Sequence, residues 1–102
     1  MLPLIEAHRI EIAELCRRFH VARLELFGSA ARGTDFDQQR SDIDLLVTYD
    51  PLAAPTFNEY FELSERLAVL LARPVDLVMS GAVRNPFLRA GIERSKELLY
   101  AA

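Results

Sequence analysis

A single cysteine, Cys16, among 102 residues excludes an internal disulfide and any cysteine-based zinc site. Its spacing with Ile12, Leu15 and Phe19 predicts a small buried hydrophobe on a helix instead. No apolar run reaches the ~18–20 residues of a membrane span. The N-terminus carries Glu6 and His8 in its first turns and lacks a basic segment followed by an apolar one. No secretory signal is visible, and a cytoplasmic setting is expected. Basic residues are scarce: twelve Lys and Arg against fifteen Asp and Glu give a net charge of −3. That argues against direct, sequence-independent nucleic-acid binding, which needs a basic face to displace counterions. Neither a Walker lysine motif nor a dinucleotide glycine pattern occurs, which disfavours those two nucleotide-binding folds. There is no internal repeat and no low-complexity segment.

What remains is an ordinary globular composition, 51% hydrophobic and 26% charged, in a chain long enough for one domain spanning residues 1–102. Residues 4–20 read as a first helix, with Ile5, Ile12, Leu15, Cys16 and Phe19 on one face and Pro3 placed for its first turn. Residues 23–27 alternate as a strand with Leu24 and Leu26 together, and Gly28-Ser29 ends it. A short helix over 30–32 and a polar loop over 34–40 follow. Residues 42–49 read as a central strand around Leu45-Leu46-Val47, closed by Asp50-Pro51. Thr56 and Glu59 form a capping box for a second long helix whose buried stripe is Tyr60, Leu63, Leu67, Leu70 and Leu71. Arg73-Pro74 ends that helix, because proline disfavours helical geometry in the residue before it. Residues 75–79 form a third strand. Asn85-Pro86 starts a last helix with Leu88 and Ile92 as core positions, and residues 98–100 form either an edge strand or a fraying end. The alternation of helices and strands predicts one α/β layer pair, a small mixed sheet of three to four strands packed against helices.

Chemistry concentrates in Ser41-Asp42-Ile43-Asp44-Leu45-Leu46-Val47. Two carboxylates enter a strand that otherwise reads as buried on both faces, where an ionised group costs several kcal/mol unless paired or metal-bound. Strand residues two apart share a face, with Cα atoms about 6.6 Å apart, so both can converge on one ion. Carboxylates with few other donors suit a hard, oxygen-seeking cation such as Mg²⁺. Asp76, a lone acid between Val75 and Leu77, repeats the anomaly. On a neighbouring strand it lies across from the pair, and three carboxylates around two metals form the clamp of in-line nucleotidyl transfer. Gly28 allows backbone amides to approach a phosphate, Ser29 adds a hydroxyl donor, and Arg32 can reach a phosphate oxygen. Either half alone reads as readily as a surface Asp-x-Asp or a capped turn.

Taken together, Phe27-Gly28-Ser29-Ala30-Ala31-Arg32-Gly33 and the Asp42-Ile43-Asp44 strand resemble the signature of the DNA polymerase beta-like nucleotidyltransferase superfamily. Asp76 matches its third acid in position and context. Within that superfamily the chain is most similar to the minimal nucleotidyltransferases. The resemblance implies the nucleotidyltransferase fold, with Gly28 and Ser29 on the triphosphate and Asp42, Asp44 and Asp76 on two Mg²⁺. It further implies an antitoxin that transfers AMP from ATP to a tyrosine of a HEPN-domain ribonuclease toxin. Two alternatives stay open: an antitoxin that masks its partner by contact alone, and a transferase to a small molecule. Apolar Phe57, Phe61 and Phe87 can serve either an interface or the core. The acidic stretch from Thr34 to Ser41, with Asp35 and Asp37 as solvated loop acids, departs from the family pattern. His8 and His20 read as surface or partly packed residues, Tyr49, Tyr60 and Tyr100 as structural, and residues 93–97 as a solvated helix end.

Overall fold

A computed structural model describes residues 3–28 and 42–102. The expected 30–32 helix and 34–40 loop, together with Ser29, Arg32, Asp35, Asp37 and Ser41, lie outside the described residues. In chain order the described elements are α1 (Pro3–Ala7), α2 (Arg9–Arg18), β1 (Val21–Phe27), β2 (Ile43–Tyr49), α3 (Phe57–Leu71), β3 (Val75–Met79), a 3₁₀ turn (Ser80–Ala82), α4 (Pro86–Ser95) and β4 (Glu97–Ala101).

The first helix is two helices. His8 leaves helical geometry at φ −115° and ψ 16°, and its carbonyl accepts from Ile12 to start α2. Its imidazole meets Glu11 at 3.0 Å, so the side chain serves the new first turn rather than the old one. Ile5, Ile12 and Cys16 stay on the buried side across the break. The capping box of α3 forms as expected: Glu59 N donates to Thr56 Oγ1 at 3.1 Å, and Thr56 N to Glu59 Oε1 at 3.2 Å. That helix stops at Ala72, one residue before Arg73-Pro74, in a left-handed C-cap at φ 54°. Asn85 caps α4 through its side-chain oxygen, with Pro86 in the first turn.

The four strands form a mixed sheet in the order β3-β2-β1-β4. β1 is antiparallel to both β2 and β4, whereas β2 and β3 run parallel, joined by the α3 crossover. Residues 97–101 are therefore an edge strand, not a fraying end. One sheet face carries Leu24, Leu26, Ile43, Leu45, Val47 and Leu77, packed against Ile5, Ile12 and Cys16 of α1 and α2 and Leu63, Leu67 and Leu71 of α3. The opposite face is only partly covered, by Val83 and Ile92 against Leu46, Phe27 and Val78. So α4 leaves the single helical layer expected and crosses to the other side. Leu88, expected in its core stripe, is 54% exposed, because the one helical stripe that reaches the sheet runs through Ile92. Phe57, Phe61 and Phe87 all lie exposed, the first two stacked edge-on at 4.7 Å.

Leu67 is fully buried at the centre of the main core. Leu67→Ala is expected to lower the unfolding free energy by about 2–5 kcal/mol, read as a reduced urea midpoint with unchanged slope. Cys16 gives a second check. Burial pushes its thiol up from 9.0 to about 12, with Arg17 opposing weakly. The folded chain therefore holds this proton where the unfolded chain releases it. The contribution is fully present below pH 9.0 and is lost as pH rises toward about 12. Cys16→Ala should flatten the alkaline loss of stability, measured by denaturation between pH 8 and 11.

Candidate active site on the open sheet face

Alternation along β2 sends Ile43, Leu45 and Val47 into the core and Asp44, Leu46 and Thr48 to the other face. The register extends this into three rungs across the sheet. Phe27, Asp44 and Asp76 make the first rung, Glu25, Leu46 and Val78 the second, and Arg23 pairs with Thr48 in the third. Asp44 and Asp76 are thus direct lateral neighbours on parallel strands, with Cα atoms about 4.8 Å apart by ordinary strand spacing. Pairing begins immediately beside them, where Ile43 N donates to Pro74 O at 2.9 Å.

Asp42 sits one residue before β2 and is exposed; Asp76 is exposed and Asp44 half-buried. This corrects the reading of β2 as covered on both faces. Among the described residues its outer face is covered from Leu46 onward, and the exposed Asp42 and Asp76 flank the half-buried Asp44. Among the described residues no three His, Cys, Asp or Glu side chains close into a metal cage. The donors at this end are carboxylates, the ligand type that Mg²⁺ takes one or two at a time beside phosphate and water.

Gly28 completes the geometry. It has φ +72°, which disfavours any L side chain. A Cβ built there would overlap Asp44 Oδ2 and lie 3.2 Å from its Cγ. The glycine at the end of β1 therefore serves two needs: the backbone turns left-handed, and the Asp44 carboxylate occupies the space a side chain would fill. Ser29 and Arg32, expected beside it on a phosphate, lie outside the described residues.

Tyr60 escaped notice as a site residue. It belongs to the apolar stripe of α3, but its hydroxyl donates to the Leu77 carbonyl, next in chain to Asp76. Burial, and then the Asp76 charge, raise its phenol above the ordinary value. Tyr49 is raised by burial, then by Tyr60 and Glu59. Glu25 is likewise unforeseen: it is 6% exposed and pairs with Lys96 Nζ at 3.2 Å. The 93–97 segment is consequently not a purely solvated helix end.

A lateral pair of carboxylates beside a glycine of left-handed φ is a donor set that a hard cation can take. The nucleotidyltransferase domain family matches the chain over residues 10–99. The chain belongs to this family. A Methanocaldococcus jannaschii relative carrying the provisional name of protein adenylyltransferase is 37% identical over 98 residues, covering 88% of this nucleotidyltransferase and 94% of the relative. The protein adenylyltransferase MntA of Thermococcus cleftensis is 34% identical over 99 residues, covering 95% and 88% respectively. A crystal structure of a toxin–antitoxin with AMP-PNP superposes at TM-score 0.71 with 26% identity, over 92% of this chain and 73% of that one. A structure of a tri-AMPylated Shewanella oneidensis HEPN toxin with its MNT antitoxin shares the fold at TM-score 0.68 and 22% identity, over 96% and 73%. The mixed sheet and its helices are the nucleotidyltransferase fold. No helix among the described residues is long and apolar enough to cross a membrane.

Proposed function

We propose that this nucleotidyltransferase is a Mg²⁺-dependent protein adenylyltransferase that moves AMP from ATP to a tyrosine of a HEPN-domain toxin, as the antitoxin of the pair. Residues 1–102 act as one catalytic domain. The supporting observation is the lateral pairing of Asp44 with Asp76, with Gly28 packed on the Asp44 carboxylate. Relatives named protein adenylyltransferase, and the toxin–antitoxin pairs of the same fold, support the acceptor class.

In this reading Asp42, Asp44 and Asp76 hold Mg²⁺, and Gly28, Ser29 and Arg32 hold the triphosphate. When held there, the cation would supply charge neutralisation for the phosphates and would acidify the attacking hydroxyl. The acceptor oxygen forms a bond to the α-phosphorus in line with the departing pyrophosphate, whose bond to that phosphorus breaks. In the same reading Asp76, exposed on the rung, takes the hydroxyl proton.

The test is incubation with α-labelled ATP, Mg²⁺ and a HEPN-domain protein encoded beside this chain. Label should enter the partner, depend on divalent cation, and vanish in the Asp42→Ala/Asp44→Ala double variant. Equal labelling by that variant overturns the reading. Masking by contact is the second reading, favoured by the exposed Phe57 and Phe61 rings. It wins if the double variant neutralises the partner at equal dose.

A further inference from the structure

Asp76 stands on β3, an outer strand of the sheet and only five residues long. Its ladder to β2 holds it from one side. Ile43 N donates to Pro74 O at 2.9 Å, so alternation turns the backbone groups of Asp76 and Val78 toward β2 and those of Leu77 outward. So short a strand can misplace its acid in two ways. A slip of one residue would turn Asp76 to the core face. A sideways swing of about 1 Å would part it from Asp44, and a displacement of that size can cost ~10²-fold in rate.

The other side is held by Tyr60. The capping box of Thr56 and Glu59 fixes the first turn of α3, and Tyr60 N closes that turn on Thr56 O at 3.0 Å. The ring packs half-buried against the main core and edge-on to Phe61 at 5.7 Å. Its hydroxyl then donates to the Leu77 carbonyl. That carbonyl shares a peptide unit with the Val78 N–H, which points back to β2. Hydrogen bonds at both ends of one peptide polarise and strengthen each other. Asp76 therefore precedes a stretch of backbone gripped from two sides. Its carboxylate faces the open side of the sheet while α3 lies on the other, so the phenol acts on it through the backbone. The neighbouring phenol gives a contrast: Tyr49 Oη is buried with no hydrogen-bond partner among the described residues.

We propose that Tyr60 is a positioning residue for Asp76: its hydroxyl pins β3 from the outside, so that the third carboxylate stays beside Asp44 in the cation site. The proposal rests on the reading of these acids as that site, and not on the identity of the acceptor.

The test is a Mn²⁺ titration of the full chain without nucleotide, read by paramagnetic broadening of the backbone amides of residues 43–46 and 75–78. Tyr60→Phe keeps the ring and removes the donor. It should need about three- to tenfold more Mn²⁺ to reach half-broadening, the fold-change of one hydrogen bond. Hydrogen exchange at the Val78 amide should quicken in the same variant. Two controls separate positioning from general stability. Tyr49→Phe removes the adjacent phenol that makes no bond. Leu99→Ala opens the main core at β4, the opposite edge of the sheet. Both should keep the wild-type half-point, Leu99→Ala despite its lowered stability. An unchanged half-point in Tyr60→Phe overturns the proposal alone, and so does an equal shift in Leu99→Ala. Absence of broadening around the acids in the wild type overturns the cation site and the proposal with it. The expected metal response with no label entering the partner supports the proposal and overturns the acceptor reading.

Discussion

Asp44→Asn is expected to reduce nucleotidyl transfer by at least ~10³-fold while leaving the fold intact. Asp44 is the only one of the three acids within the sheet's interior strands, flanked by Phe27 on one side and Asp76 on the other. The amide keeps the shape and removes the charge, so cation affinity and transition-state stabilisation fall together. Loss of several kcal/mol of electrostatic stabilisation corresponds to about three orders of magnitude in rate. Rates should be measured against Mg²⁺ concentration. A variant that recovers full rate at high Mg²⁺ would show that Asp44 tunes affinity only. One that stays fully active at low Mg²⁺ would remove Asp44 from the machinery altogether.

Gly28→Ala should come next, with loss of both stability and rate. The left-handed φ of +72° costs an alanine about 1–2 kcal/mol. The new methyl must also displace the Asp44 carboxylate, whose Oδ2 it overlaps. A shift of about 1 Å in a positioning group can cost ~10²-fold in rate. Urea denaturation and transfer rate together separate the two effects. A variant destabilised by ~1–3 kcal/mol yet still fully active when folded would mean that the carboxylate is free to relocate.

Much of this layout follows from local rules that leave marks in a single sequence. Leu24 and Leu26 alternate, Thr56 and Glu59 reciprocate over one turn, and Asn85-Pro86 announces a helix start, because each involves residues within a few positions of one another. The lateral neighbourhood of Asp44 and Asp76 was legible only as a conditional, since it depends on β3 pairing with β2 across a 15-residue helix. Other features have no local trace. Glu25 reads as the exposed member of an alternating strand, and its burial depends on Lys96, 71 positions away. The two-face arrangement of β2 misled because Leu45-Leu46-Val47 is apolar throughout, while α4 covers only the Leu46 end of the second face. The break at His8 involves no proline or glycine and so carries no punctuation. Gly28 was read from the sequence as a point of phosphate approach, which concerns its backbone alone. Its contact with Asp44 belongs to the sheet pairing and becomes visible only there.

The bond from Tyr60 to the Leu77 carbonyl bears on how copies of the protein behave in concentrated solution. β3 is an outer strand, and because Pro74 O faces β2, alternation turns the Leu77 carbonyl away from the sheet. An unguarded row of such groups is a template for adding a foreign strand. With the phenol seated on the middle acceptor, an incoming chain finds the ladder interrupted at its centre and must displace an aromatic side chain to zip alongside. The rim nearest Asp76 is in this way a poorer template for a foreign strand than a bare edge.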